Sequence, residues 1–171
     1  GRLPDKATLT ARLKDMLAEA ASLEDVLDRA RIFGKEQGFL IGVRVIAGSV
    51  STRAASIAYS DLADLLVSTL LDHVKAALEA QHGRIAGSRI ALLAMGKFGG
   101  REMTASSDLD LILLYDFAES ETGSDGPRPL TGSQYYARLT QRLIAALSAP
   151  TAEGSLYEVD FRLRPSGNSG P

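Results

Sequence analysis

Ser106-Ser107-Asp108-Leu109-Asp110-Leu111-Ile112-Leu113-Leu114-Tyr115 is the stretch on which the reading of this chain turns. From Leu109 to Tyr115 it is nearly all aliphatic, which suits a buried strand. Side chains two apart in a strand share a side, so Asp108 and Asp110 are expected to project together and Leu109 and Leu111 to point the other way. Two carboxylates on one side repel each other unless a cation lies between them. Hard oxygen donors of this kind suit Mg2+ or Mn2+. Mg2+ takes few protein ligands and fills its other positions with water and phosphate oxygens. The plainer reading makes Asp108 a turn cap and Asp110 a strand-edge charge that discourages aggregation. A bare Asp-x-Asp is short and common by chance, so the plainer reading stands unless neighbours add to it.

Two neighbours do. Upstream, the apolar run Arg89 to Met95 reads as a strand and ends in Gly96-Lys97-Phe98-Gly99-Gly100. A glycine-rich turn after a strand lets backbone N–H groups approach a phosphate, and Lys97 adds a point charge for the same anion. The turn is not a P-loop, because the Gly-Lys-Ser/Thr order is absent. Downstream, Leu156 to Leu163 alternates as a third strand. Val159, Phe161 and Leu163 take one face, and Asp160, Arg162 and Arg164 the other. Asp160 offers a third carboxylate, and the two arginines offer bidentate donors to phosphate oxygens and a leaving pyrophosphate. A half-exposed strand with its own ion pairs fits the same residues.

The remainder of the chain reads as helices. Lys6 to Ala21 carries apolar residues at helical spacing, and Ser22 reads as the N-cap of a second helix through Val26, Ala30 and Phe33. Gly34, Gly38 and Gly42 interrupt it, each costing about 1 kcal/mol relative to alanine, which allows a kink or break. Ser60 reads as the cap of a long stripe from Leu62 to Leu78 that ends near His82-Gly83. Leu130 to Ser148 has a further helical pattern, and Glu119 to Pro129 is a surface loop. His73, His82, Tyr135, Tyr136 and Tyr157 read as packing or helix-end residues, and Glu24, Asp25, Asp28 and Arg29 as a solvated helix face. The composition changes between Gly83 and Gly87. The expected fold is therefore α+β, with a helical region over 1–84 and a mixed sheet flanked by helices over 85–171.

The bulk numbers limit the function. Of 171 residues, 45% are hydrophobic and 23% charged, and the net charge is -2. A chain built to grip a long polyphosphate backbone is usually basic, so nucleic acid is not an expected partner and a polynucleotide-extending transferase is disfavoured. There are no cysteines, which removes disulfides and thiolate metal sites, and only two histidines, which speaks against zinc. No stretch reads as long and apolar enough to span a membrane. Absence of cysteine fits a cytoplasmic protein, and the first residues carry no signal-peptide pattern. The chain reads as a piece of a longer polypeptide.

Gly96-Lys97-Phe98-Gly99-Gly100-Arg101-Glu102-Met103, then Ser106 to Ile112, then Leu156-Tyr157-Glu158-Val159-Asp160-Phe161-Arg162-Leu163-Arg164-Pro165-Ser166-Gly167 together resemble the signature blocks of the glutamine synthetase adenylyltransferases. That family lies within the polymerase-beta-like nucleotidyltransferases. The resemblance implies a mixed sheet flanked by helices, with metal held by Asp108, Asp110 and Asp160 as catalytic carboxylates. It implies nucleotide binding by Gly96, Lys97, Gly99, Gly100, Ser107, Arg162 and Arg164. The superfamily's interval between glycine pair and Asp-x-Asp fits Gly96-Lys97, whereas the residue types fit Gly99-Gly100. Phe98 and Met103 replace the family's leucines, conservatively for packing.

Members carry two related halves, one attaching AMP to a tyrosine of glutamine synthetase and one removing it by phosphorolysis. Glu158 and Ser166 resemble the attaching half; Ser169-Gly170-Pro171 also occurs in removing halves. The resemblance implies ATP as substrate, Mg2+ or Mn2+ as cofactor, and regulation of the full enzyme by a PII signal protein and glutamine. A non-catalytic helical interaction module is the alternative of a different class.

Overall fold

The computed structural model describes residues 3–118 and 123–161. Three helices come first. α1 (Lys6–Leu17) starts at Asp5, whose carboxylate accepts from the Thr8 N–H at 2.9 Å. α2 (Leu23–Ile46) starts at Ser22, whose hydroxyl accepts from the Asp25 N–H at 3.1 Å. Each cap satisfies an N–H that a helix start leaves unpaired. α3 (Thr52–His82) is the longest, at 31 residues.

Both helical boundaries that looked uncertain in the sequence resolve differently. α2 runs unbroken through Gly34, Gly38 and Gly42. A Cβ on Gly34 would lie 2.6 Å from the Leu156 side chain and 3.0 Å from Leu66. The Tyr59 hydroxyl donates to the Gly38 carbonyl at 3.1 Å. Close packing recovers what the glycines cost in propensity. Ser60 is not a cap either. Ser51 caps α3, accepting from Ala54 N–H at 3.2 Å, while Ser60 lies buried mid-helix and donates to the Ser56 carbonyl at 2.8 Å. The Ala-rich turns between them extend the helix upstream.

A further correction concerns α3. By length and composition it is apolar enough to cross a membrane, contrary to the expectation from the sequence. Within the fold its apolar side is the core: Leu62, Leu66, Leu70, Val74 and Leu78 are buried, and the helix packs against α1, α2 and α5.

The second half holds β1 (Arg89–Ala94), the single turn α4 (Gly96–Gly99), β2 (Leu109–Asp116), α5 (Gly132–Ser148) and β3 (Val159–Phe161). The sheet order is β1-β2-β3, antiparallel between β1 and β2 and parallel between β2 and β3. The fold is thus α+β with a mixed sheet. α5 opens on a capping box between Thr131 and Gln134. The third strand starts later than Leu156, because the Leu156 and Tyr157 N–H groups both donate to the Leu147 carbonyl, at 3.3 and 3.0 Å, and close off α5 instead.

The compositional change near Gly83 coincides with the end of α3, yet packing crosses it. One apolar cluster joins Leu13, Leu66 and Leu70 to Phe98, Leu109, Leu111 and Leu143. A second joins Val74 and Leu78 to Leu113, Tyr136 and Leu139. Part of the expected surface loop is pinned to the end of α3. Gly126 N–H donates to the His82 carbonyl at 3.0 Å, buried His82 donates from Nδ1 to the Arg128 carbonyl at 2.6 Å, and Ser124 is buried.

Candidate active site

The alternation of β2 divides its side chains between two environments. Leu109, Leu111 and Leu113 point into the core, and Asp110, Ile112 and Leu114 lie on the other side. β3 sets Val159 against Leu109, Asp160 against Asp110 and Phe161 against Leu111. The Leu109 N–H donates to the Glu158 carbonyl at 2.9 Å and fixes that register. Asp110 and Asp160 are therefore in-register neighbours on adjacent parallel strands. Both line an open groove of about 570 Å³ with Met95, Gly96, Ile112 and Leu114.

Gly96 abuts Asp110 directly. Its φ is +53°, and a Cβ placed there would lie 2.2 Å from Asp110 Oδ2. No L-side chain fits that position without displacing the carboxylate. The Met95 N–H, one residue earlier, donates to the Asp110 carbonyl at 2.9 Å, so turn and strand are tied together. The glycine-rich segment forms one helical turn, α4, with buried Phe98 anchoring it and Lys97 exposed.

The other two glycines do different work. A Cβ on Gly99 would sit 2.4 Å from the Ala94 carbonyl oxygen, so Gly99 permits close packing of α4 on β1. Gly100 lies over the Gly96 carbonyl, which accepts its N–H at 2.9 Å. Of the two glycine pairs weighed from the sequence, Gly96-Lys97 begins at the groove and Gly99-Gly100 packs behind it.

Asp108 lies one residue before β2 begins and is exposed. Ser107 is buried and closes the loop that precedes it: its Oγ accepts from the Thr104 N–H at 2.9 Å and lies 2.9 Å from the Thr104 hydroxyl. Among the described residues, no three acid, imidazole or thiolate side chains gather closely enough to hold a metal ion by themselves. What the sheet brings together is a pair, Asp110 and Asp160. A pair of carboxylates suits an ion that draws its remaining ligands from water and phosphate. Arg162 and Arg164 lie outside the described residues.

Three features went unread in the sequence. Met95, Ile112 and Leu114 give the groove an apolar side, which a continuous aliphatic run does not reveal. Arg101 reaches across to Asp61 of α3 and ties the end of the glycine segment to the helices. Asp28, taken for part of a solvated face, accepts from the Thr151 hydroxyl at 2.9 Å.

The architecture defines an α+β unit with a carboxylate pair at a sheet edge beside a glycine turn. The chain belongs to the glutamate-ammonia ligase adenylyltransferase family, whose model matches residues 1–171. It is similar to the bifunctional glutamine synthetase adenylyltransferase/adenylyl-removing enzyme of Brucella suis biovar 1 (strain 1330), with 58% identity over 169 residues, 99% of this chain and 17% of that protein. The enzyme of the same name from Mesorhizobium japonicum is 58% identical over 169 residues, again 99% of this chain and 17% of the relative. That from Rhodopseudomonas palustris (strain BisB5) is 55% identical over 171 residues, 100% of this chain and 17% of the relative. The chain thus spans 17% of the length of these relatives.

Proposed function

We propose that this chain transfers AMP from ATP to a tyrosine of glutamine synthetase, releasing pyrophosphate. The observation that carries this reading is the pairing of Asp110 with Asp160 beside Gly96, in a chain whose relatives are named for adenylyl transfer and removal. The attaching direction rests on Glu158 and Ser166, the residues that resemble the attaching half.

In the reaction the tyrosine oxygen attacks the α-phosphorus of ATP in line. A new P–O bond forms, and the bond from the α-phosphorus to the oxygen bridging to the β-phosphorus breaks. Pyrophosphate leaves with that electron pair. Asp160, exposed on the groove, takes the hydroxyl proton. Gly96, lacking a side chain, lets the Asp110 carboxylate sit against the turn, and Lys97 with Arg162 and Arg164 is assigned to the phosphate oxygens. Asp110 and Asp160, together with Asp108, would hold Mg2+ or Mn2+, which would supply neutralisation of triphosphate charge. The full enzyme's regulation by a PII protein and glutamine belongs to the same reading.

Two incubations test the direction. ATP with unmodified glutamine synthetase is expected to yield AMP-tyrosine and pyrophosphate; modified synthetase with inorganic phosphate is expected to yield nothing. Activity only in the second assigns phosphorolytic removal instead. Asp110→Asn is expected to lower transfer at least ~10³-fold, about 4 kcal/mol in the barrier. Its melting temperature should stay within a few degrees of the parent. Near-normal transfer by that variant would reject Asp110 as a metal-holding residue.

A further inference from the structure

We infer that α2 is the device that positions Asp160, with buried Arg31 as its principal contact; this rests on the role given to Asp160 above. Among the described residues, β3 pairs with β2 in the register Val159 to Leu109, Asp160 to Asp110 and Phe161 to Leu111. The chain reaches Asp160 through the connector that runs from the end of α5 to Glu158.

α2 grips that connector along one face. Asp28, Arg31 and Lys35 recur at helical spacing. Arg31 is 1% exposed, and its Nη2 donates to the carbonyls of Ala146 and Ala149, both at 3.1 Å. These carbonyls belong to the last turn and cap of α5, where a cation is favoured. Asp28 accepts from the Thr151 hydroxyl, and Lys35 donates to the Glu153 carbonyl. Leu156 then lies over Gly34, which has no side chain to push it away.

Burying a guanidinium costs several kcal/mol unless every donor is matched. Here Nε and Nη1 have no hydrogen-bond partner among the described residues, and the Asp28 carboxylate lies 3.5 Å from Nη1. An aliphatic side chain would fill the site at lower cost. What it would not do is hold two carbonyls at the exit of α5 and so direct the chain that follows. That chain ends on the Glu158 carbonyl, bonded to Leu109 N–H, and on Asp160 opposite Asp110.

The test uses Arg31→Met and Arg31→Lys in the intact enzyme, with three readouts: AMP transfer, Mn2+ binding, and hydrogen exchange of the Leu109 amide. Arg31→Met is expected to lower kcat about tenfold and raise the half-saturating Mn2+ concentration similarly, as for groups that orient ligands. Leu109 exchange should accelerate, and Arg31→Lys should restore part of each loss. A lower melting temperature with kcat per folded molecule, Mn2+ binding and Leu109 exchange all unchanged would overturn the inference. Should Arg31→Met fail to fold, Thr151→Val and Lys35→Met carry the test, with roughly threefold effects in the same direction, in line with the context dependence of such groups; silence in both overturns it. Parent enzyme that transfers no AMP while Leu109 exchange still responds to Arg31 would retire the functional reading and leave the positioning intact.

Discussion

The two sides of β2 are one strand read at alternate residues, and they follow different rules. Leu109, Leu111 and Leu113 are almost fully buried against the helices, whereas Leu114 is 49% exposed and shares its side with Asp110. Leu93 on β1 and Met95 just after it are also exposed, at 42% and 47%. The inner side places the strand by burying apolar area, at about 25 cal/mol per Å². The outer side is relieved of that task. Asp110 can therefore stand on a rigid strand without being required for its stability. Rigid support beneath and open space above is what a site for chemistry needs.

Truncating the inner side should give the largest stability loss. Leu111→Ala removes a fully buried side chain from the cluster that also holds Phe98, Leu143 and Leu147, and is expected to cost about 2–5 kcal/mol. Chemical denaturation followed by circular dichroism measures it. A cost below about 1 kcal/mol would mean that the inner side collapses around the gap, and the contrast between the two sides would fail.

A smaller effect comes from the phenol that shares the inner cluster. Tyr135 donates to the Gly83 carbonyl at 3.0 Å, and burial, then the nearby charge of Glu79, pushes its pKa up to about 12. An unfolded tyrosine titrates near 10. The folded state therefore holds a proton that the unfolded state releases, and stability present below pH 10 is lost as pH rises towards about 12. Tyr135→Phe should cost about 1 kcal/mol at pH 8 for the lost hydrogen bond. That deficit should shrink by pH 11, because the variant lacks the titrating group. Denaturation midpoints of both proteins at the two pH values check this, and a constant deficit would separate the tyrosine's stability contribution from its burial.

Much of this arrangement was legible in the residues. The aliphatic run from Leu109 to Tyr115 marks β2 because so long a run without polar breaks suits burial, and Ser22 marks α2 because a hydroxyl there has an N–H to satisfy. Gly34, Gly38 and Gly42 misled because propensity is local, whereas Leu156, Leu66 and Tyr59 arrive from elsewhere in the chain. Ser60 misled because a buried serine can bond its own helix as readily as it can cap one. Of the candidate site, alternation identified Asp110 and Asp160 separately, but only the register of β2 and β3 makes them neighbours. Asp108 falls before the strand, where alternation no longer governs it. Arg31 drew no reading from the sequence, because its role has meaning only once α5 is seen to end against it.

The smallest expected effect is the one that defines the outer side. Leu114→Thr introduces a β-branched side chain in a strand that favours it and removes apolar area that is already half exposed. Its stability should stay within about 0.5 kcal/mol of the parent, as for surface substitutions without a special contact. Leu114 also lines the groove that holds Asp110 and Asp160, so the same variant reports on occupancy. An unchanged denaturation midpoint together with an altered KM for ATP would make the apolar side of the groove part of the binding surface. A loss approaching that of Leu111→Ala would show instead that the outer side is as buried in solution as the inner, and the division of labour along β2 would not hold.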